Sequence, residues 1–130
     1  MIGIVIVSHS AKLADGVMEL AREMVGTEVK LASAGGMALE GRPLGTDPVL
    51  VARAIEQAYS EDGVLVLMDL GSAVLSAEMA LDLLDPSQRA QVVLCEAPLV
   101  EGAISAAVQA RLAGPGPRSW PRPGEPWATR

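Results

Sequence analysis

Two six-residue runs, Ile2–Val7 and Gly63–Met68, contain no polar side chain. A strand without a polar face cannot rest on solvent, so each run must be covered on both sides. Central strands of a parallel sheet, with helices packed above and below, meet that requirement. A helical pattern follows each run. After the first, Leu13, Val17, Leu20, Ala21 and Met24 recur at helical spacing, with charged residues between them, and Gly26 ends the stretch. After the second, Val74, Ala77, Leu81 and Leu84 form the predicted inward stripe and leave Ser76, Glu78 and Asp82 outside, until Asp85-Pro86 stops the helix.

Two weaker strands complete the pattern. Glu28–Ser33 alternates as an edge strand does, and Ala90–Cys95 is apolar and short. Asp47-Pro48 opens a helix, Asp as N-cap and Pro at the first helical position, with Val51, Ala54, Ile55 and Ala58 facing inward. Pro98 opens the last helix, with Val100, Ile104, Ala107, Val108 and Leu112 predicted inward. Four β-α units predict an α/β fold: a doubly wound, mostly parallel four-stranded sheet, order 2-1-3-4, with helices on both faces. The chain has no Phe and one tyrosine, Tyr59, so Val, Leu, Ile, Ala and Met must fill its core.

Residues 1–113 make one domain of ordinary size. From Gly114 the composition changes to GPGPRSWPRPGEPWATR, with five prolines and both tryptophans, Trp120 and Trp127. Residues 114–130 read as a Pro/Gly-rich tail or linker. The formal net charge is −6, and that tail carries +2 of it, leaving −8 on the body. An acidic body argues against nucleic acid as partner. No apolar stretch is long enough to span a membrane and the N-terminus lacks a basic signal-peptide start, so a cytoplasmic location is expected. The single cysteine, Cys95, reads as a small buried hydrophobe, and one His with one Cys cannot close a zinc site. No metal and no cofactor is expected. Without a GxxxxGK[ST] motif or an acid cluster to hold Mg²⁺, the chain is not expected to bind ATP by itself.

In an open parallel sheet, ligands bind beyond the carboxyl ends of the strands, where the strand order reverses. Here that crevice lies between strands 1 and 3. Strand 1 ends at Ser8-His9-Ser10 and strand 3 at Asp69-Leu70-Gly71-Ser72, so the only histidine and an acid arrive together. Residues 34–46, with four glycines, form a long loop at the same edge, and long loops are often functional. A neutral imidazole is a nucleophile near neutral pH. A carboxylate on one ring nitrogen would leave the other facing the ligand. Helix N-termini supply amides for an anion, and the Ser10 and Ser72 hydroxyls could donate to phosphate oxygens. Together these describe a site for a transient phosphohistidine. Plainer readings stand beside it: a structural His9, an Asp69 that caps the next helix, Ser10 and Ser72 as N-caps, glycines that only serve turns.

The stretches GIVIVSHSAKLADGVMELAREM, ASAGG, LGTDPVLVARAIEQA and GVLVLMDLGSAVLSAEMALDLL, in this order, resemble the mannose-type EIIA family of the phosphoenolpyruvate:sugar phosphotransferase system, in its dihydroxyacetone kinase branch. The resemblance covers residues 2 to about 112. It implies that His9 is phosphorylated, that Asp69 holds the imidazole, and that Gly36, Gly71 and Ser72 build a phosphate pocket, to which the reading of the residues adds Ser10. It further implies HPr as phosphoryl donor, ADP bound in the subunit DhaL as acceptor, DhaK as DhaL's companion, and a homodimer. Met37 and Leu39 are candidates for the docking surface. Some members carry HPr-like and enzyme-I-like domains after this one, which this sequence does not show. The alternatives are a sugar-transport or regulatory domain of the same family, whose phosphorylation state controls a binding partner, and an aspartate-phosphorylated receiver. The receiver needs acids where Ser8-His9-Ser10 stands.

Overall fold

The computed structural model describes residues 1–37 and 44–114. In chain order it contains β1 (Gly3–Ser8), α1 (Ala11–Val25), β2 (Leu31–Gly35), α2 (Pro48–Gln57), β3 (Val64–Met68), α3 (Gly71–Leu81), α4 (Pro86–Arg89), β4 (Val92–Cys95) and α5 (Leu99–Ala113). The strands form one parallel sheet in the order β2-β1-β3-β4, as the sequence predicts. β1 and β3 are buried along their whole length, which accounts for their unbroken apolar runs.

The two faces of the sheet carry separate cores. Ile2, Ile4, Ile6, Leu65 and Leu67 point to α1 and α5. Val5, Val7, Val64, Val66 and Met68 point to α2 and α3. The chain therefore crosses to one face after β1 and to the other after β3, and this reversal opens the crevice between them. Val7 pairs with Met68, so the next residues, Ser8 and Asp69, stand at the mouth of that crevice. Each buried Ile or Leu contributes on the order of 1.5–3 kcal/mol to holding these strand ends in place.

Several inward faces differ from those predicted. α1 buries Ala14, Val17, Ala21 and Val25, while Leu13, Leu20 and Met24 are exposed. α3 packs the predicted Val74, Ala77 and Leu81 inward, with Leu84 buried just beyond it, but also buries Ala73, Ala80 and Ser76, the last predicted outside. α5 buries Leu99, Gly102, Ala103, Ala106, Ala107 and Ala110, not Val100 or Leu112. The cause is common to all three: small residues let a helix approach the sheet closely, so Ala takes the contact line and larger side chains move to the flanks. At Gly102 a Cβ would stand 2.9 Å from the Ala97 Cβ and 3.0 Å from the Leu67 side chain.

β2 begins three residues later than predicted and runs to Gly35, because its partners on β1 are Ile4–Ser8. Asp85-Pro86, read as a stop, also opens the short helix α4. Asp47 caps α2 as expected, its side chain accepting from the Val49 amide at 2.9 Å. Cys95 is buried, and desolvation pushes its thiol up to about 11. No described helix is long and apolar enough to cross a membrane.

Candidate functional site

Ser8, the last residue of β1, is fully buried although polar. Its hydroxyl donates to Asp69 Oδ2 at 2.7 Å and accepts from the Ser10 amide at 3.0 Å. The Asp69 carboxylate also accepts the His9 backbone N–H, at 3.1 Å to Oδ1 and 3.3 Å to Oδ2, and the Leu70 N–H at 2.7 Å. The acid at the end of β3 thus fixes the backbone turn that leaves β1. These are charge-assisted bonds, worth about 1.5–3 kcal/mol each.

The His9 imidazole is half-buried, and its Nδ1 lies 3.0 Å from Ser72 Oγ. The bond expected between a ring nitrogen and Asp69 is therefore corrected: Asp69 holds the His9 backbone and Ser72 meets the ring. The carboxylate is drawn back to one buried hydroxyl and two amides, and the ring turns toward the first turn of α3. Among the described residues Nε2 has no hydrogen-bond partner. Ser10 is the N-cap of α1, its side chain accepting from the Leu13 amide at 3.2 Å. Ser72 is not a cap: α3 is preceded by Leu70, with no side-chain capping bond. Gly71 has open space around its Cα, and the first amides of α3 have no helical carbonyl to donate to.

The loop after β2 returns to the same place. The His9 carbonyl accepts the Gly45 N–H at 2.7 Å, and the Gly45 carbonyl accepts the Gly36 N–H at 2.9 Å. Gly36, at φ 75°, is buried and has spent its amide on this turn, which favours the turn reading over a phosphate contact. Gly45, at φ 112°, packs where a Cβ would stand 2.8 Å from the Met37 side chain. Met37 is half-buried beneath it, and Leu39 lies outside the described residues.

Three residues of this arrangement escaped the sequence reading. Ser8 carried a signal, a polar residue closing an apolar run. Thr46 Oγ1 donates to the Ser72 carbonyl at 3.1 Å and lies 2.6 Å from Ser76 Oγ. That bond explains why Ser76 is buried, and no local pattern announces a contact across 30 residues. Among the described residues no group of three His, Cys, Asp or Glu side chains gathers that could hold a metal. What the site offers is one imidazole nitrogen open in a crevice, beside the amino ends of α1 and α3.

Comparison with known proteins gives the family. Residues 3–114 match the EIIA-man family, described as the PTS system fructose IIA component. The phosphoryl donor subunit DhaM of PEP-dependent dihydroxyacetone kinase from Klebsiella michiganensis is 56% identical over 111 residues, covering 85% of this chain and 24% of that protein. The Escherichia coli subunit of the same name is 53% identical over the same coverage. The chain thus spans about a quarter of the length of these relatives. The phosphoryl donor subunit DhaM of PEP-dependent dihydroxyacetone kinase 2 from Listeria innocua is 46% identical, over 84% of this chain and 86% of its own length. A crystal structure of a protein of unknown function superimposes with a TM-score of 0.72 at 38% identity, over 85% of this chain and 84% of that one.

Proposed function

The chain belongs to the EIIA-man family of the phosphotransferase system, and on that premise we propose that it is the phosphoryl-carrying subunit of a dihydroxyacetone kinase, with His9 as the carrier. In this reading His9 takes a phosphoryl group from phosphorylated HPr and passes it to ADP bound in DhaL, which with DhaK phosphorylates dihydroxyacetone. The protein acts in the cytoplasm as a homodimer. The outward row of Leu75, Met79 and Leu83 along and beyond α3 supports such self-association.

The observation that carries the proposal is the position of Nε2. It is the ring nitrogen without a partner among the described residues, at the switch point of the sheet. Its lone pair attacks phosphorus. The N–P bond to the donor breaks, and that electron pair returns to the donor ring. Asp69 holds the His9 backbone so that the ring starts from a fixed place. In this reading the Ser10 hydroxyl and the Gly71 and Ser72 amides donate to the phosphate oxygens. Gly36 supports the pocket through the loop turn. Phosphohistidine is itself a high-energy donor, so no ATP site is required on this chain.

The test is transfer of labelled phosphate from phosphoenolpyruvate through enzyme I and HPr, with and without DhaK and DhaL. Wild-type protein is expected to take an acid-labile label and release it to dihydroxyacetone only when both subunits are present. His9→Ala should fold and take none. Acid-labile label on that variant overturns the assignment.

A further inference from the structure

We infer that Thr46 is a positioning residue for the transfer, whose hydroxyl holds the first turn of α3 and so places the Gly71 and Ser72 amides; the inference rests on the phosphoryl transfer proposed at His9. Among the described residues the buried polar side chains are Ser8 and Ser76. Ser8 is engaged by Asp69, and Ser76 has Thr46 Oγ1 2.6 Å from its Oγ. A threonine hydroxyl has one proton to give. Thr46 donates it to the Ser72 carbonyl at 3.1 Å, so the bond between the two hydroxyls is donated by Ser76. Thr46 thus joins a carbonyl in the first turn of α3 to a hydroxyl one turn further along the same helix.

A helix start is ordinarily fixed by a side chain at its N-cap, which takes up one of the free amides. Ser10 does this for α1 and Asp47 for α2. α3 has Leu70 in that position with no side-chain capping bond, and Gly71 follows with open space about it. The Gly71 and Ser72 amides therefore stay open to an anion, but no cap holds them in place. Thr46 holds the turn from its carbonyl side and leaves those amides unspent. It is itself placed from both directions. Asp47 after it caps α2, and Gly45 before it donates to the His9 carbonyl at 2.7 Å. Donors set in advance stabilise charge on the phosphoryl oxygens without reorganising at the moment of transfer. Removing the Thr46 hydroxyl should let the turn move and lower the rate at saturating donor, with docking of the donor unaffected.

The experiment compares wild type, Thr46→Val, Thr46→Ser and Ser76→Ala. Each is labelled at varied concentrations of phosphorylated HPr, and residual dipolar couplings of the Gly71, Ser72 and Ala73 amides are read without any phosphoryl donor. Thr46→Val keeps the shape and loses the hydroxyl. Its couplings should change and its maximal rate fall about five- to tenfold, the effect of one neutral hydrogen bond, with the half-saturating donor concentration unchanged. Thr46→Ser should restore both. Ser76→Ala keeps the bond to the Ser72 carbonyl and should retain most of the rate. Should Thr46→Val strand the buried Ser76 hydroxyl and fail to fold, Thr46→Val with Ser76→Ala removes both partners and carries the same expectations. Unchanged couplings, an unchanged maximal rate, or a rise in the half-saturating concentration alone overturns the inference. So does a Thr46→Ser that fails to restore the rate, or a Ser76→Ala loss as large as that of Thr46→Val. A wild type that takes no label defeats the carrier reading and leaves the couplings to decide whether Thr46 holds the turn.

Discussion

At the scale of single residues, Asp69 is the densest point of the site: one carboxylate serves three donors from both central strand ends. Asp69→Asn would turn an NH₂ toward one of those donors and leave the buried Ser8 hydroxyl or a backbone amide without an acceptor. The expected loss is about 1–3 kcal/mol of stability, read as a lower urea midpoint at constant slope, together with slower labelling of His9. Unchanged stability would mean that the carboxylate network does not hold the turn. His9 and Asp69 were both readable in the sequence, because apolar strands and the switch-point rule bring their chain positions together. Which side chain meets the ring was not. Asp69 and Ser72 are three residues apart in one turn, and only the competition of backbone amides for the carboxylate decides between them.

At the scale of elements, the strand order and the inward face of α2 followed from the patterning, but the faces of α1, α3 and α5 did so only in part. Periodicity gives weight to Leu, Met and Val, whereas in this molecule Ala forms the contact line of α3 and α5. Closeness of packing, which selects the small residue, is a property of two elements and is invisible in either alone. Gly3 shows the same pressure from the strand side. A Cβ there would lie 1.7 Å from the Ala58 carbonyl oxygen, just beyond α2. The backbone cannot yield that much without breaking the entry of β1. Gly3→Ala should therefore cost more than about 3 kcal/mol, among the larger single-residue effects, measured by thermal or urea unfolding. A loss below about 1 kcal/mol would show that β1 and α2 can separate cheaply.

At the scale of the whole molecule, the sheet with its two cores is expected to be complete by Gly114. The tail that follows, with Trp120 and Trp127, lies outside the described residues apart from Gly114 itself. Its composition cannot build a core. A protein cut after Gly114 should keep its melting temperature within about 2 °C, less than a 1 kcal/mol change produces in a domain of this size, and keep its rate of labelling. A substantially lower melting temperature would show that the tail docks on the body.

The contacts around His9 join residues 60 to 63 positions apart in the chain. During synthesis, His9 has left the ribosome several seconds before Ser72 does, at roughly 5–20 residues per second. Until β3 has paired with β1, the imidazole has neither a held backbone nor a partner for Nδ1. If His9 carries the phosphoryl group as proposed, its competence comes in one step, with closure of the sheet's centre. On the proposed carrier reading, nascent chains that have not yet closed β3 onto β1, and chains opened there, should draw no phosphate from the donor pool, so that closure of the sheet gates who carries the group.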